Sequence, residues 1–159
     1  METGEVILYR PQLEELQFRA WCMGDAETMA YNHACGGTIP FPRERWADWY
    51  ARWVEDGAGE RFYRYLLHRP SRTFVGNVAY RYEEKFDGFV CEILVAAPYR
   101  GRGFGRRGLE LLCAAARENG VKRLVDDIAV DNPSAGLFLS AGFCERFRNE
   151  EYILVEKEL

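Results

Sequence analysis

The stretch Glu92-Ile93-Leu94-Val95-Ala96-Ala97-Pro98-Tyr99-Arg100-Gly101-Arg102-Gly103-Phe104-Gly105-Arg106-Arg107 decides how this chain is read. Ile93 to Val95 is a short apolar strand, and Pro98 ends it. Gly101, Gly103 and Gly105 let the backbone turn tightly and approach a ligand closely. Beyond them Leu109, Leu112, Cys113 and Ala116 recur at helical spacing, and Asn119-Gly120 supplies the stop. A strand therefore feeds a glycine-rich turn, and the turn feeds a helix N-terminus. That order gathers unpaired backbone N–H groups and the positive end of a helix dipole at one spot. Arg100, Arg102, Arg106 and Arg107 surround it. The combination predicts an anion site, most naturally for a pyrophosphate.

Gly103-Phe104-Gly105-Arg106-Arg107-Gly108 formally fits a dinucleotide GxGxxG, with Asp126 and Asp127 near the distance of a ribose-binding acid. The match begins after a Pro-Tyr-Arg linker rather than at the strand end. Too little chain follows it for a second nucleotide-binding half. No Gly-Lys-Ser/Thr is present, which excludes a P-loop.

A different pattern fits better. Arg100-x-x-Gly103-x-Gly105, with Val95 five residues upstream, resembles the acetyl-CoA signature of the GCN5-related N-acetyltransferase (GNAT) superfamily. Asn132-Pro133-Ser134-Ala135, followed by Phe138 and Gly142-Phe143, resembles that family's second motif. The resemblance covers roughly Tyr63 to the C-terminus. It implies an α/β (α+β) fold with a mixed, mostly antiparallel sheet of six to seven strands and helices on both faces.

The rest of the chain agrees. Its 159 residues are most simply one domain. Residues 1–60 would supply a strand and acceptor-side helices, and residues 61–159 the acetyl-CoA-binding core. Net charge is −4, so the arginine cluster is local, and a nucleic-acid binder is disfavoured. No signal peptide, transmembrane run or repeat is visible, so no membrane partner is expected. The five cysteines are scattered, with no CxxC, and read as reduced thiols of a cytoplasmic protein. With two histidines, His33 and His68, no metal site is expected.

Glu5 to Arg10 reads as a first strand, Pro11 to Cys22 as a helix, and Asp25 to Met29 as the start of a second short helix. Asn32 to Pro42 is a loop. Arg43 to Glu55 is an amphipathic helix with Trp46, Trp49, Tyr50 and Trp53 on one face, stopped by Asp56 to Gly59. Strands follow at Arg61–His68, Arg72–Tyr82 and Phe89–Val95. After the central helix come a strand at Arg123–Val130, a helix at Pro133–Ser140, and strands at Phe143–Phe147 and Tyr152–Glu156.

The resemblance also implies the chemistry: an acetyl-CoA-dependent N-acetyltransferase acting on a primary amine of a small molecule or a protein. Acetyl-CoA is a co-substrate, and no metal is implied. Pantetheine would pair with strand backbone near Leu94 and Val95. The pyrophosphate would sit on the backbone of Arg102 to Arg106, with Arg100 and Gly101 also in the coenzyme site and Asn132, Ala135 and Phe138 along the arm. An acceptor amine with a pKa near 10.4 is almost wholly protonated at neutral pH, so a general base is needed. Glu92 is the first candidate. Asp126 and Asp127 are the others, and they must point to opposite faces of their strand.

The family's thiolate-protonating Tyr is missing: Phe138 and Leu139 occupy the two positions where counting would place it. Ser134, Ser140, Tyr152 or solvent would substitute. The alternative function is a catalytically weak acyl-CoA-binding module. A C-terminal strand can pair across a dimer edge, which leaves a homodimer open.

Overall fold

The computed structural model describes residues 3–32, 37–55 and 59–159. His33, Cys35 and Gly36 of the expected early loop lie outside them, as does most of the Asp56–Gly59 stop. Seven strands form one sheet in the order β1-β2-β3-β4-β5-β7-β6. The strands are β1 Val6–Tyr9, β2 Arg61–His68, β3 Thr73–Glu83, β4 Gly88–Val95, β5 Arg123–Ala129, β6 Cys144–Arg148 and β7 Tyr152–Glu158. Every neighbouring pair is antiparallel except β4 and β5.

The helices are α1 Leu16–Gly24, α2 Trp46–Trp53, α3 Phe104–Glu118 and α4 Ser134–Ser140. They divide between the two sheet faces because the strands alternate. Val78, Tyr80, Cys91, Leu124 and Ile128 pack with Phe104, Leu109 and Leu112 of α3 and Phe138 of α4. Tyr63, Tyr65 and Ala79 face the other way, onto Leu16 of α1 and Trp46 and Trp49 of α2. The aromatic stripe of α2 is thus mainly core. Trp46 and Trp49 are buried, and the Tyr50 hydroxyl donates to the Pro11 carbonyl at 2.6 Å.

The expected helix at Asp25–Met29 does not form; the chain makes successive turns there. An Asp25 carboxylate oxygen accepts from both the N–H and the hydroxyl of Thr28, which closes a local turn. The Glu27 and Thr28 carbonyls, which a growing helix would use four residues on, are taken by the Arg100 guanidinium. A long-range tie therefore outcompetes the local helical pattern.

Among the described residues, no helix is long and apolar enough to cross a membrane. No group of three or more His, Cys, Asp or Glu among them is placed to hold a metal ion.

Candidate active site

The cleft arises where β4 and β5 part. Their parallel pairing consists of Phe89 with Leu124 and Val90 with Val125, although both strands run on. On its other side β4 stays paired to β3 as far as Val95 opposite Gly76. Cys91 to Val95 therefore face β5 without a strand partner, which leaves main-chain groups open to a ligand that can pair with them. A cleft of about 680 Å³ opens there.

Its floor at one end is the N-terminus of α3. Gly103 caps that helix at φ +88°, with no side-chain cap, and Gly101 sits at φ +77°. Both are left-handed conformations that favour glycine. The first helical bond runs from the Arg107 N–H to the Gly103 carbonyl, so the N–H groups of Phe104, Gly105 and Arg106 have no helical acceptor. Gly105 is squeezed between two walls: a Cβ there would meet Leu137 Cδ2 at 3.0 Å and Val95 Cγ2 at 3.7 Å. Bare, converging amides beside glycines of this kind suit a diphosphate.

The arginines divide the work. Arg100 is taken up by main-chain carbonyls: its guanidinium donates to those of Val95 at 3.0 Å, Glu27 at 3.0 Å and Thr28 at 2.7 Å. It ties the glycine turn to the Asp25–Thr28 turn, and the Ala97 N–H adds a bond to the Thr28 hydroxyl at 3.1 Å. Arg106 and Arg107 share Glu110 one turn along α3. Arg102 is exposed and, among the described residues, makes no ion pair; it lies beside the cleft rather than in its wall.

Glu92, Leu94, Val95, Arg100, Gly101, Gly103, Phe104, Gly105, Arg106 and Asn132 of the expected residues line the cleft. Glu92 is exposed to it, and its carboxylate accepts from the Asn77 amide at 2.9 Å. Asn77 is 1 % exposed, so this bond fixes the carboxylate from a buried anchor.

Asp126 and Asp127 do not line the cleft. Asp127 is exposed and belongs to the sheet face of Glu92. Asp126 is half-buried and belongs to the face of α3. Burial pushes the Asp126 carboxyl well above the usual carboxylate range, and the charges of Asp127 and Glu92 push it the same way. A raised folded pKa means that the fold prefers this acid protonated. Its contribution to stability is thus lost as pH rises from the unfolded pKa to the folded one. Asp126→Asn is therefore expected to raise the melting temperature at pH 7, with the gain shrinking towards pH 4. Thermal unfolding followed by circular dichroism checks this, and an equal gain at both pH values would count against it.

In α4 the expected arm contacts are phased differently. Phe138 is 1 % exposed and packs edge-on against Phe143, with ring centres 5.0 Å apart, and Ala135 packs on the same core. The cleft receives Ser134 and Leu137 instead, the other i, i+3 pair of that helix. Phe138 is thus a core residue, and Leu137 lines the cleft. Asn132 caps the helix start by accepting from the Ser134 N–H at 2.9 Å. Ser140 and Tyr152 stand outside the cleft: Ser140 donates to the Leu137 carbonyl and Tyr152 packs on Phe147.

Met23, Thr28, Met29, Tyr31 and Asn32, from the acceptor-side segment between β1 and β2, also line the cleft but were not singled out one by one, and Tyr99 was not foreseen. Only the turn residues around Asp25 carried a local signal, and it was read as a helix.

The profile of the Acetyltransferase (GNAT) family matches residues 20–143. The chain belongs to this acetyltransferase family. The GNAT family uses acetyl-CoA, and this chain is accordingly an N-acetyltransferase. Among solved structures, the GNAT domain of S. lividans PAT superposes with a TM-score of 0.76 at 16% identity, over 97% of this chain and 89% of that one. A domain from Methanocaldococcus jannaschii gives 0.76 at 21% identity, over 97% and 98%. Spermidine N-acetyltransferase from Vibrio cholerae, in complex with CoA and spermine, gives 0.75 at 16% identity, over 98% and 96%. At these identities the likeness is one of GNAT fold. No curated protein matches this chain.

Proposed function

We propose that this GNAT enzyme transfers the acetyl group of acetyl-CoA to a primary amine of a small molecule or a protein. The observation that carries the reading is a single cleft in which an open β4 edge, the bare α3 N-terminus and a buried-anchored carboxylate meet. The β4 main chain near Leu94 and Val95 would pair with the pantetheine amides. The amides of Gly103 to Arg106 would hold the diphosphate, and Arg102 would add charge from the rim. Gly101 permits the turn, and Arg100 holds it in place. The Asn132 amide group and the Leu137 side chain would flank the arm.

Glu92 would take the proton from the ammonium of the acceptor. The neutral nitrogen then attacks the thioester carbon; the N–C bond forms, the nitrogen releases a second proton to solvent, the C–S bond breaks and CoA leaves as a thiolate that takes up one proton. Ser134 is the candidate acid from the sequence that lines the cleft, and solvent can also supply this proton. An acceptor amine is in keeping with the spermine named in the Vibrio cholerae relative's complex. Cys22, Cys91, Cys113 and Cys144 are free thiols, which suits the reducing cytoplasm proposed for the enzyme.

Calorimetry with acetyl-CoA and thiol release over a panel of amines test the reading. Reversing the charge of Arg102 while replacing Gly103 with Val should lower acetyl-CoA affinity about tenfold or more. Unchanged affinity in that double variant would remove the diphosphate site. Tight CoA binding with no release for any amine would favour the binding-module alternative.

A further inference from the structure

The residues of β4 that line the cleft divide between the two faces of the sheet. Ile93 and Val95 pack with the α3 side. Glu92 and Leu94 take the alternate positions. Glu92 stands opposite Ala79, whose face of the sheet packs on α1 and α2. Met23 from the end of α1, and Met29, Tyr31 and Asn32 from the turns that follow it, line the same cleft. They make its acceptor-side wall.

The polar groups of that wall are already bonded within the protein. The Thr28 hydroxyl donates to the Asp25 carboxylate at 2.5 Å and accepts from the Ala97 N–H at 3.1 Å. The Glu27 and Thr28 carbonyls accept from Arg100. The Met29 carbonyl accepts from the Asn32 N–H at 3.0 Å, and the Asn32 side-chain amide donates to the Gly37 carbonyl at 2.7 Å. Apart from the Tyr31 hydroxyl, the wall thus offers a ligand thioether, methyl and ring surface. Met23 and Met29 are 5 % and 7 % exposed, so packing holds them in place.

Charge is equally sparse. Among the described residues that line the cleft, Glu92 is the one acid. Asp127 shares its sheet face but stands outside the lining. The Arg100 guanidinium is held by three main-chain carbonyls and offers an acceptor no free counter-ion. A second charge of either sign on the acceptor would enter this wall without a partner, which costs far more than burying the same length of hydrocarbon gains. Methionine side chains, by contrast, adapt to irregular apolar shapes.

We propose that the acceptor is a small monoamine with an uncharged, apolar body: the nitrogen at Glu92 carries its only charge, and Met23, Met29 and Leu94 hold the rest. This rests on the acetyl-transfer reading above and narrows its acceptor.

Hexylamine, 1,6-diaminohexane and 6-aminohexanoate share one chain length and end in a methyl group, a second ammonium and a carboxylate. In steady-state thiol release hexylamine should exceed each of the others about tenfold or more in kcat/KM. Met29→Glu puts a carboxylate into the wall. It should lower kcat/KM for hexylamine about tenfold and raise it for 1,6-diaminohexane, so that their order reverses. Met29→Ala adds no charge and should raise KM for hexylamine roughly 5–30-fold, with kcat within about threefold. Far-ultraviolet circular dichroism confirms that both variants are folded. Equal use of the three amines, or a preference for the diamine or the amino acid, would overturn the proposal. So would a folded Met29→Glu enzyme with the wild-type order, or an unchanged KM in Met29→Ala.

Should no amine be acetylated, the parent reading fails, and the wall is read by binding alone. Calorimetric heat with hexylamine that Met29→Glu abolishes, and that 6-aminohexanoate does not give, supports the apolar wall. No heat with hexylamine in the wild type overturns it.

Discussion

Glu92→Gln is expected to lower kcat/KM at pH 7 by about 100-fold or more, with acetyl-CoA affinity unchanged. The glutamine oxygen can still accept from Asn77, so the shape of the site survives while the proton acceptor is lost. The pH profile separates this from mere disturbance. The acceptor amine, with a pKa near 10.4, supplies its own neutral form as pH rises. The variant's rate should therefore climb about tenfold per pH unit up to about pH 10, and its deficit should narrow. Asn77→Leu leaves the carboxylate but removes its anchor, and a smaller loss of about tenfold is expected from misplacement. Asp127→Asn, outside the cleft, should stay within about threefold of wild type. A Glu92→Gln enzyme retaining more than about a third of its activity would move the base elsewhere.

The parts of this site that were legible in the sequence are those whose chemistry is local. A strand, three spaced glycines and a helix start are contiguous from Ile93 to Arg106, so their geometry follows from backbone rules alone. The alternation of strands likewise placed Asp126 and Asp127 on opposite faces before any fold was known. What stayed hidden depends on residues far apart in the chain. Arg100 reads as an anion ligand beside glycines, and only its contact with Glu27 and Thr28, more than seventy residues away, shows it as a tie. The three rings stacked around Arg19 come from Phe41, Trp49 and Tyr63, which no spacing rule connects. Phe138 and Leu137 differ by one helical step, and the choice between core and cleft is made by how α4 docks, not by the motif.

Among the described glycines, Gly76→Ala should be the most damaging, although nothing in the sequence around it signals this. Gly76 lies in β3, between Leu66 of β2 and Val95 of β4, next to the register shift at Leu66 and Leu67. A Cβ on it would lie 2.0 Å from the Leu94 carbonyl oxygen and 3.1 Å from the Val95 Cα. These are backbone atoms of a paired strand, so no rotamer change relieves the overlap. β4 must move by about an ångström to restore contact distance, and the overpacking should cost roughly 1–3 kcal/mol or more.

The displaced residues, Leu94 and Val95, lie on the open edge proposed above to pair with the coenzyme. Misplacement of about 1 Å in such a site can cost about 100-fold. Acetyl-CoA affinity should thus fall by more than the melting temperature alone would suggest, even well below the unfolding transition. Gly136→Ala is the control: it lies exposed in α4 with nothing within 4 Å of the new methyl group. Alanine favours helix there, so stability should hold or rise by up to about 1 kcal/mol. Thermal melts and acetyl-CoA titrations of the two variants decide the matter. If Gly76→Ala melts and binds like the control, the spacing of β3 and β4 is not what admits the coenzyme.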